Sequence, residues 1–262
     1  MTMTGLVTAL RGGWLLPAVL STTAGAVDAI GFLALGGLFS AHITGNVVVV
    51  AAHYVTGGFG EVGPLLAVPV FIAVLGAVTL ASVAAEEAGH GSRRALLVLQ
   101  AALLAGCLCL GAGFGPFADP DCPMAVCVGM LAVAAMATQN ALVKLALRGA
   151  PSTAVMTTNT TQLTVDLARL AWGRGKPDDL ARARRRAALT FPCVVGFVVG
   201  CAAGAVLEVY FGLRALALPV VLAALAVPLG ERRGDSSATH PDSNGELHDD
   251  LHSPGLITNP NS

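Results

Sequence analysis

The sequence predicts an all-α integral membrane protein with six transmembrane helices and two re-entrant half-helices, arranged as a 3+3 inverted-topology repeat. Three observations carry this. The 262 residues are 55% hydrophobic and only 12% charged, with a mean hydropathy of +0.73, whereas a soluble domain carries about 25% charged residues. Six apolar runs reach the ~20 residues that cross a hydrocarbon core. Two polar interruptions, "HITGN" at 42–46 and "MTTNTTQ" at 156–162, fall at matching places in the two halves.

The elements follow in order. The first span covers 13–36. Arg11, "WLLPAVL" and "AGA" at 24–26 resemble a cleaved signal, but the run stays apolar through Leu35 and Pro17 interrupts it, so a retained span is expected. Residues 43–57 are apolar but too short to cross. Spans then follow at 64–86, 95–114 and 123–147. The Thr-rich segment 153–172 holds Asp166 and Arg169, which are expensive in lipid. The last two spans are 187–209 and 212–230. Gly196, Gly200 and Gly204 form a small-residue stripe suited to close helix packing. From "ERRGDSSATHPDSNGELHDD" onward the chain turns polar and rich in turn formers, the composition of a disordered tail. His240, His248 and His252 there read as solvated rather than metal-binding.

Basic residues orient the chain. Arg11, Arg93, Arg94, Lys144, Arg148, the run "GRGKPDDLARARRR" (173–186), Arg232 and Arg233 all fall on one side if six segments span. The loops 57–63 and 115–122 carry Glu61, Asp119 and Asp121 instead, and only Arg214 breaks the trend. Both termini are therefore expected in the cytoplasm. Segment 43–57 dips in and leaves outward, so a cysteine at Gly60 is expected to be reached from outside. Segment 153–172 starts and ends on the cytoplasmic side. The domains are 1–12, a short cytoplasmic N-terminus; 13–114 and 115–230, the two membrane repeats; and 231–262, the tail.

The repeat itself is legible. With one inserted residue, "DAIGFLALGGLFSAHITGN" (28–46) aligns with "NALVKLALRGAPSTAVMTTN" (140–159). Asp28 meets Asn140, Gly37 meets Gly149, Ser40 meets Ser152, Thr44 meets Thr157 and Asn46 meets Asn159. Three spans per copy is odd, so the copies face opposite ways, as in transporters whose site lies at the repeat interface.

These polar residues are the candidate site. Asp28 lies inside the first span, either as a protonatable or ion-coordinating group or as a hydrogen-bond anchor for the re-entrant loop. Gln139 and Asn140 are either helix glue or substrate contacts. Thr44, Gly45 and Asn46 suit the start of a helix, with Thr and Asn as N-caps. Thr157, Thr158 and Asn159 supply the second start. Two such ends at mid-membrane would attract an anion or the negative end of a polar solute; a capped, ligand-free loop is the alternative. His42 is either a proton shuttle near neutral pH or a hydrogen-bonded structural residue.

Other chemistry is not encoded. A net charge of −1 argues against nucleic acid. The six cysteines form no metal pattern and read as small packing residues, with a Cys122–Cys127 disulfide left open. No metalloprotease, nucleophile-elbow, Walker or dinucleotide motif appears, so no enzyme activity and no cofactor are expected.

The stretches "AGAVDAIGFLALGGLFSAHITGN" (24–46) and "AMATQNALVKLALRG" (135–149), with the Thr-rich turn after them, resemble the YoaK-like family of bacterial multi-pass inner-membrane proteins of unknown function. The resemblance covers most of 13–230 and is strongest at Asp28, Gly31, Phe39, Thr44, Gly45, Asn46, Gln139 and Asn140. "TTN" (157–159) departs from the Thr-Gly pattern of the first turn. The resemblance implies a bacterial inner-membrane protein and brings no substrate.

The residues themselves point to a secondary transporter or channel for a small polar or anionic solute. Its site would lie at the midplane between the two half-helix N-termini, with Asp28 and His42 as proton-coupling candidates. The alternatives are a structural or partner-binding membrane subunit, or an intramembrane enzyme using Asp28 and His42. The partners expected are membrane lipids and the solute, with a homo-oligomer left open.

Overall fold

A computed structural model describes residues 13–57, 62–147 and 149–231. The N-terminal segment 1–12 with Arg11, the positions of Gly60 and Glu61, Arg148, and the tail from 232 on with Arg232, Arg233 and its histidines lie outside the described residues. Within them the chain is all-helical. Its α-helices are α1 (Leu15–Ala34), α2 (Ile43–Thr56), α3 (Val62–Glu87), α4 (Ser92–Phe114), α5 (Pro123–Ala146), α6 (Met156–Trp172), α7 (Pro177–Phe211) and α8 (Ala217–Glu231), with a 3-10 turn at Gly212–Leu216.

Five apolar stretches are long enough to cross a membrane: α1, α3, α4, α5 and the 54-residue stretch Pro177–Gly230 that holds α7, the 3-10 turn and α8. The protein is thus a helical, multi-pass membrane protein. Helices α2 and α6, of 14 and 17 residues, fall short of a crossing.

Local chemistry sets the boundaries. Helix α1 stops at Leu35, whose N–H still bonds Gly31 O at 2.9 Å, because Gly36 and Gly37 turn to positive φ. Helix α5 ends alike, at Leu147 followed by Gly149 at φ 83°. It begins with Pro123 behind Cys122, whose sulfur accepts the Ala125 N–H. Cys122 and Cys127 are both free thiols, so the open disulfide is not formed. Helix α7 starts at Pro177, with Asp178 and Asp179 in its first turn. The basic run 181–186 is therefore its opening turns, where the sequence reading had placed a loop. The span expected at 212–230 begins as the 3-10 turn before α8.

Helices α1 and α5 form the centre, with 72% of the apolar window of each buried. Helix α1 packs on α7 and α8, and α5 packs on α3 and α4; α4 meets α8. Helix α2 lies on α3, and α6 lies on α7. The α1–α7 contact brings backbones together. A Cβ at Gly200 would stand 2.1 Å from Thr22 O, one at Gly204 2.7 Å from Ala26 O, and one at Gly25 2.3 Å from Phe197 O. The glycine stripe read from the sequence is this contact.

One end of the bundle is tied by Arg93 at the start of α4. Its guanidinium donates to Ala146 O at the end of α5 (2.9 Å) and to Gly230 O near the end of α8 (3.4 Å). A cation there meets the negative ends of two helices. At the other end, the Val62 N–H that opens α3 bonds Asp121 just before α5 at 2.9 Å.

Candidate functional site

The break after α1 is organised by Asp28, one and a half turns before the helix end. Its Oδ1 accepts the Ser40 N–H (2.8 Å), the Ser40 hydroxyl (3.3 Å) and the Ala41 N–H (2.6 Å). Its Oδ2 accepts the His42 N–H at 3.2 Å and lies 2.8 Å from His42 Nδ1. Three successive amides thus point at one carboxylate, the concave arrangement that holds anions. Asp28 is 3% exposed, so this ring of donors is what makes its burial tolerable.

A carboxylate accepts, so Nδ1 of His42 carries the proton of that contact. The second ring nitrogen, Nε2, has no hydrogen-bond partner among the described residues. Asp28 therefore fixes both the tautomer and the direction of the imidazole.

Thr44 and Asn46 are not N-caps. The cap position of α2 is His42, with no side-chain cap, and Thr44 is the second residue of the helix, on an exposed face. Fully buried Asn46 reaches back instead: its Oδ1 accepts the Phe39 N–H at 2.9 Å and its Nδ2 donates to Phe39 O at 2.7 Å. Gly45 is required where it stands, because a Cβ there would come 2.9 Å from the Phe39 ring.

Asp28, His42 and Phe39 border a cavity of about 490 Å³, completed by Ala29, Phe32, Leu33, Phe197, Cys201 and Ala205. The ring centroids of Phe32 and Phe39 are 5.0 Å apart, and those of His42 and Phe197 5.2 Å. The walls are apolar, with the carboxylate–imidazole pair as the polar groups at the base.

The second break is built differently. Helix α6 starts behind Val155, again with no side-chain cap, so the Thr157 cap expected from the sequence is absent too. Asn159 is buried like Asn46 and donates to Ser152 O at 2.5 Å, also seven residues back. Gln139 rather than Asn140 ties this loop. Its Nε2 donates to Thr153 Oγ1 (2.9 Å) and Leu20 O (3.0 Å), and its Oε1 accepts from Gln100 at 2.6 Å. Asn140 spends its amide on Met136 O in its own helix. Thr157 and Thr158 are exposed.

Further along α6, Asp166 is buried and paired with Arg186 of α7, through Nη2–Oδ1 at 2.6 Å and Nε–Oδ2 at 3.1 Å. Hydrogen bonding from Arg186 holds its carboxyl below the usual carboxylate range. The expense of an acid in this segment is met by that bidentate contact.

The structure brings together Asp28, His42 and, behind them, Asn46. It does not bring Thr44, Asn140, Thr157, Thr158, Asn159 or Gln139 to the cavity, whose walls are α1, the first loop and α7. Phe32, Phe197 and Gln100 went unnoticed in the sequence, while Cys201 was read only as a packing residue and Arg186 only as part of the basic run. Phe32 carried a signal, one helical turn beyond Asp28; Phe197 and Cys201 carried none, being apolar residues far away in the chain.

A family model described as "Protein of unknown function (DUF1275)" matches residues 16–229, and the chain belongs to that family. No curated protein and no solved structure matches it.

Proposed function

We propose that this DUF1275 member is a secondary transporter or channel for a small polar solute, with the Asp28–His42 cavity as its site. The observation that carries the reading is that cavity: a buried carboxylate orients an imidazole whose free nitrogen has room for a ligand beside it. The amides of the first tip already hold Asp28. An anionic solute loses its expected partner there, and a polar solute met by His42 is the better fit.

The membrane arrangement we propose is six spans with α2 and α6 re-entrant, in a bacterial inner membrane as the YoaK-like resemblance implies, with both termini cytoplasmic. Several observations support two related halves. Exchanging α1–α4 with α5–α8 maps the α1·α7 contact onto α5·α3, α1·α8 onto α5·α4, and α2·α3 onto α6·α7. The first break ends at Leu35 and restarts at Ile43; the second ends at Leu147 and restarts at Met156. Both place a buried Asn three residues into the new helix. The inserted residue falls one step earlier than the sequence alignment had it, because Asn46 pairs with Phe39 as Asn159 does with Ser152. Ser40 then corresponds to Thr153, and both hydroxyls bond the anchoring side chain.

The Asp166–Arg186 pair supports re-entrance of α6. It sets an antiparallel register in which the start of α6, ten residues above Asp166 and so about 15 Å further along, stands near the level of residue 196, within the apolar part of α7.

Two-sided access tests the reading. With Cys201 as the sole cysteine, in sealed vesicles of known orientation, an impermeant thiol reagent should modify it from at least one aqueous side. Reaction in detergent but from neither side of the membrane would place the cavity against lipid alone and leave a structural subunit as the better account.

A further inference from the structure

We propose that the cavity takes a small organic cation, an ammonium carrying an apolar body, and that this cation and a proton on His42 exclude one another. The inference rests on the reading that the cavity is a solute site.

The lining decides the charge. Phe32, Phe39 and Phe197 present aromatic rings to one space, with Phe39 and His42 centroids 6.4 Å apart and His42 and Phe197 5.2 Å apart. Ring faces attract a cation within about 6 Å, and more strongly where water is scarce. Asp28 supplies a formal negative charge at the base, and among the described residues no lysine or arginine lines the cavity to cancel it. With His42 neutral, every donor on the carboxylate is neutral, so its charge acts on whatever enters. An anion is repelled; an uncharged solute gains nothing from the carboxylate. A volume of about 490 Å³ lies in the usual small-molecule range of roughly 300–1,000 Å³.

The proton enters through the same pair. Protonating His42 at Nε2 makes it an imidazolium against Asp28, and the net charge of the pair rises from −1 to zero. The attraction for a second cation then disappears. The titratable groups facing His42 are Asp28 from α1 and the Cys201 thiol from α7; the other lining residues of both helices, Ala29, Phe32, Leu33, Phe197 and Ala205, carry no charge. A cation arriving from one side and a proton from the other would therefore compete for one carboxylate, the coupling that exchange across a membrane needs.

Cys201 lines the cavity and reports on it. In full-length protein with the other five cysteines changed to Ala, three methanethiosulfonates are compared: the cationic trimethylammonioethyl, the neutral hydroxyethyl and the anionic sulfonatoethyl reagent. Each rate is divided by that reagent's rate with free 2-mercaptoethanol at the same pH. The cation-to-anion ratio should exceed about tenfold while the imidazole is neutral, and it should shrink severalfold on acidification that adds a proton to it. Benzyltrimethylammonium should protect Cys201, and Phe197→Leu should weaken that protection by roughly three- to tenfold.

Asp28→Asn should bring the ratio to near one; if that variant fails to fold, His42→Gln serves, keeping a high ratio that no longer changes with pH. A ratio of one or less in the unaltered cavity, with all three reagents reacting, overturns the cation assignment and leaves the solute site standing. Failure of all three to react removes the open cavity, and the broader reading with it.

Discussion

The two helix breaks solve the same problem with different chemistry. Each must end a helix inside the bundle, turn, and start a short helix without stranding backbone polar groups, which lipid punishes. The first does so with a charge: Asp28 gathers the amides of Ser40, Ala41 and His42. The second does so with neutral amides and hydroxyls, as Gln139 holds Thr153, and Ser152 accepts the Val155 N–H at 3.0 Å. A neutral anchor is enough to hold such a turn. The charged one therefore does something the fold alone does not require, and it is the one that borders a cavity.

Breaking the anchors should give the largest contrast. Asp28→Ala strands three amides and an imidazole, and disrupting a buried charged contact costs about 3–5 kcal/mol. Gln139→Leu removes neutral hydrogen bonds and should cost about 1–3 kcal/mol. Unfolding in mixed micelles measures both, and a Gln139→Leu loss equal to or above that of Asp28→Ala would erase the distinction between the breaks.

A smaller contrast concerns the buried asparagines. Asn46 makes a reciprocal pair of bonds to Phe39, whereas Asn159 makes one bond to the Ser152 carbonyl and a long contact to Met156 Sδ. Asn46→Ala should cost about 2 kcal/mol and Asn159→Ala about 1 kcal/mol, read by the same unfolding measurement. Reversal of that order would mean that the second break depends more on its asparagine than its bonding indicates.

The smallest effect is the sharpest for the alignment. Asn140 stands where the proposed repeat pairs it with Asp28, yet among the described residues it bonds only its own helix. Asn140→Ala should stay within about 0.5 kcal/mol of the parent. A loss of several kcal/mol would restore Asn140 as the anchor and displace Gln139.

Much of this organisation was legible in the sequence, because hydropathy and lipid impose it. The long apolar helices, the shortness of 43–57, and the anomaly of a carboxylate at Asp28 all follow from the cost of polar groups in hydrocarbon. What escaped was direction. Thr and Asn near a helix start are ordinarily caps, but Asn46 lies past the cap and turns back to Phe39, a choice fixed by a loop whose path composition does not reveal. The shift from Asn140 to Gln139 has the same origin: adjacent positions on a helix point about 100° apart, and only the neighbours α1 and α4 decide which amide faces the loop. The cavity was illegible because a third of its lining comes from α7, which the chain reaches after more than a hundred further residues.

The glycine contact between α1 and α7 has a consequence for how that cavity opens. Where two main chains touch, no side chain is left between them to rotate aside, so the pair behaves as a single stiff plank. Both long walls of the chamber belong to that plank. Any change in the chamber's width then has to come from the third side, the segment from Phe39 to His42, whose ties to Asp28 and Asn46 would have to give first.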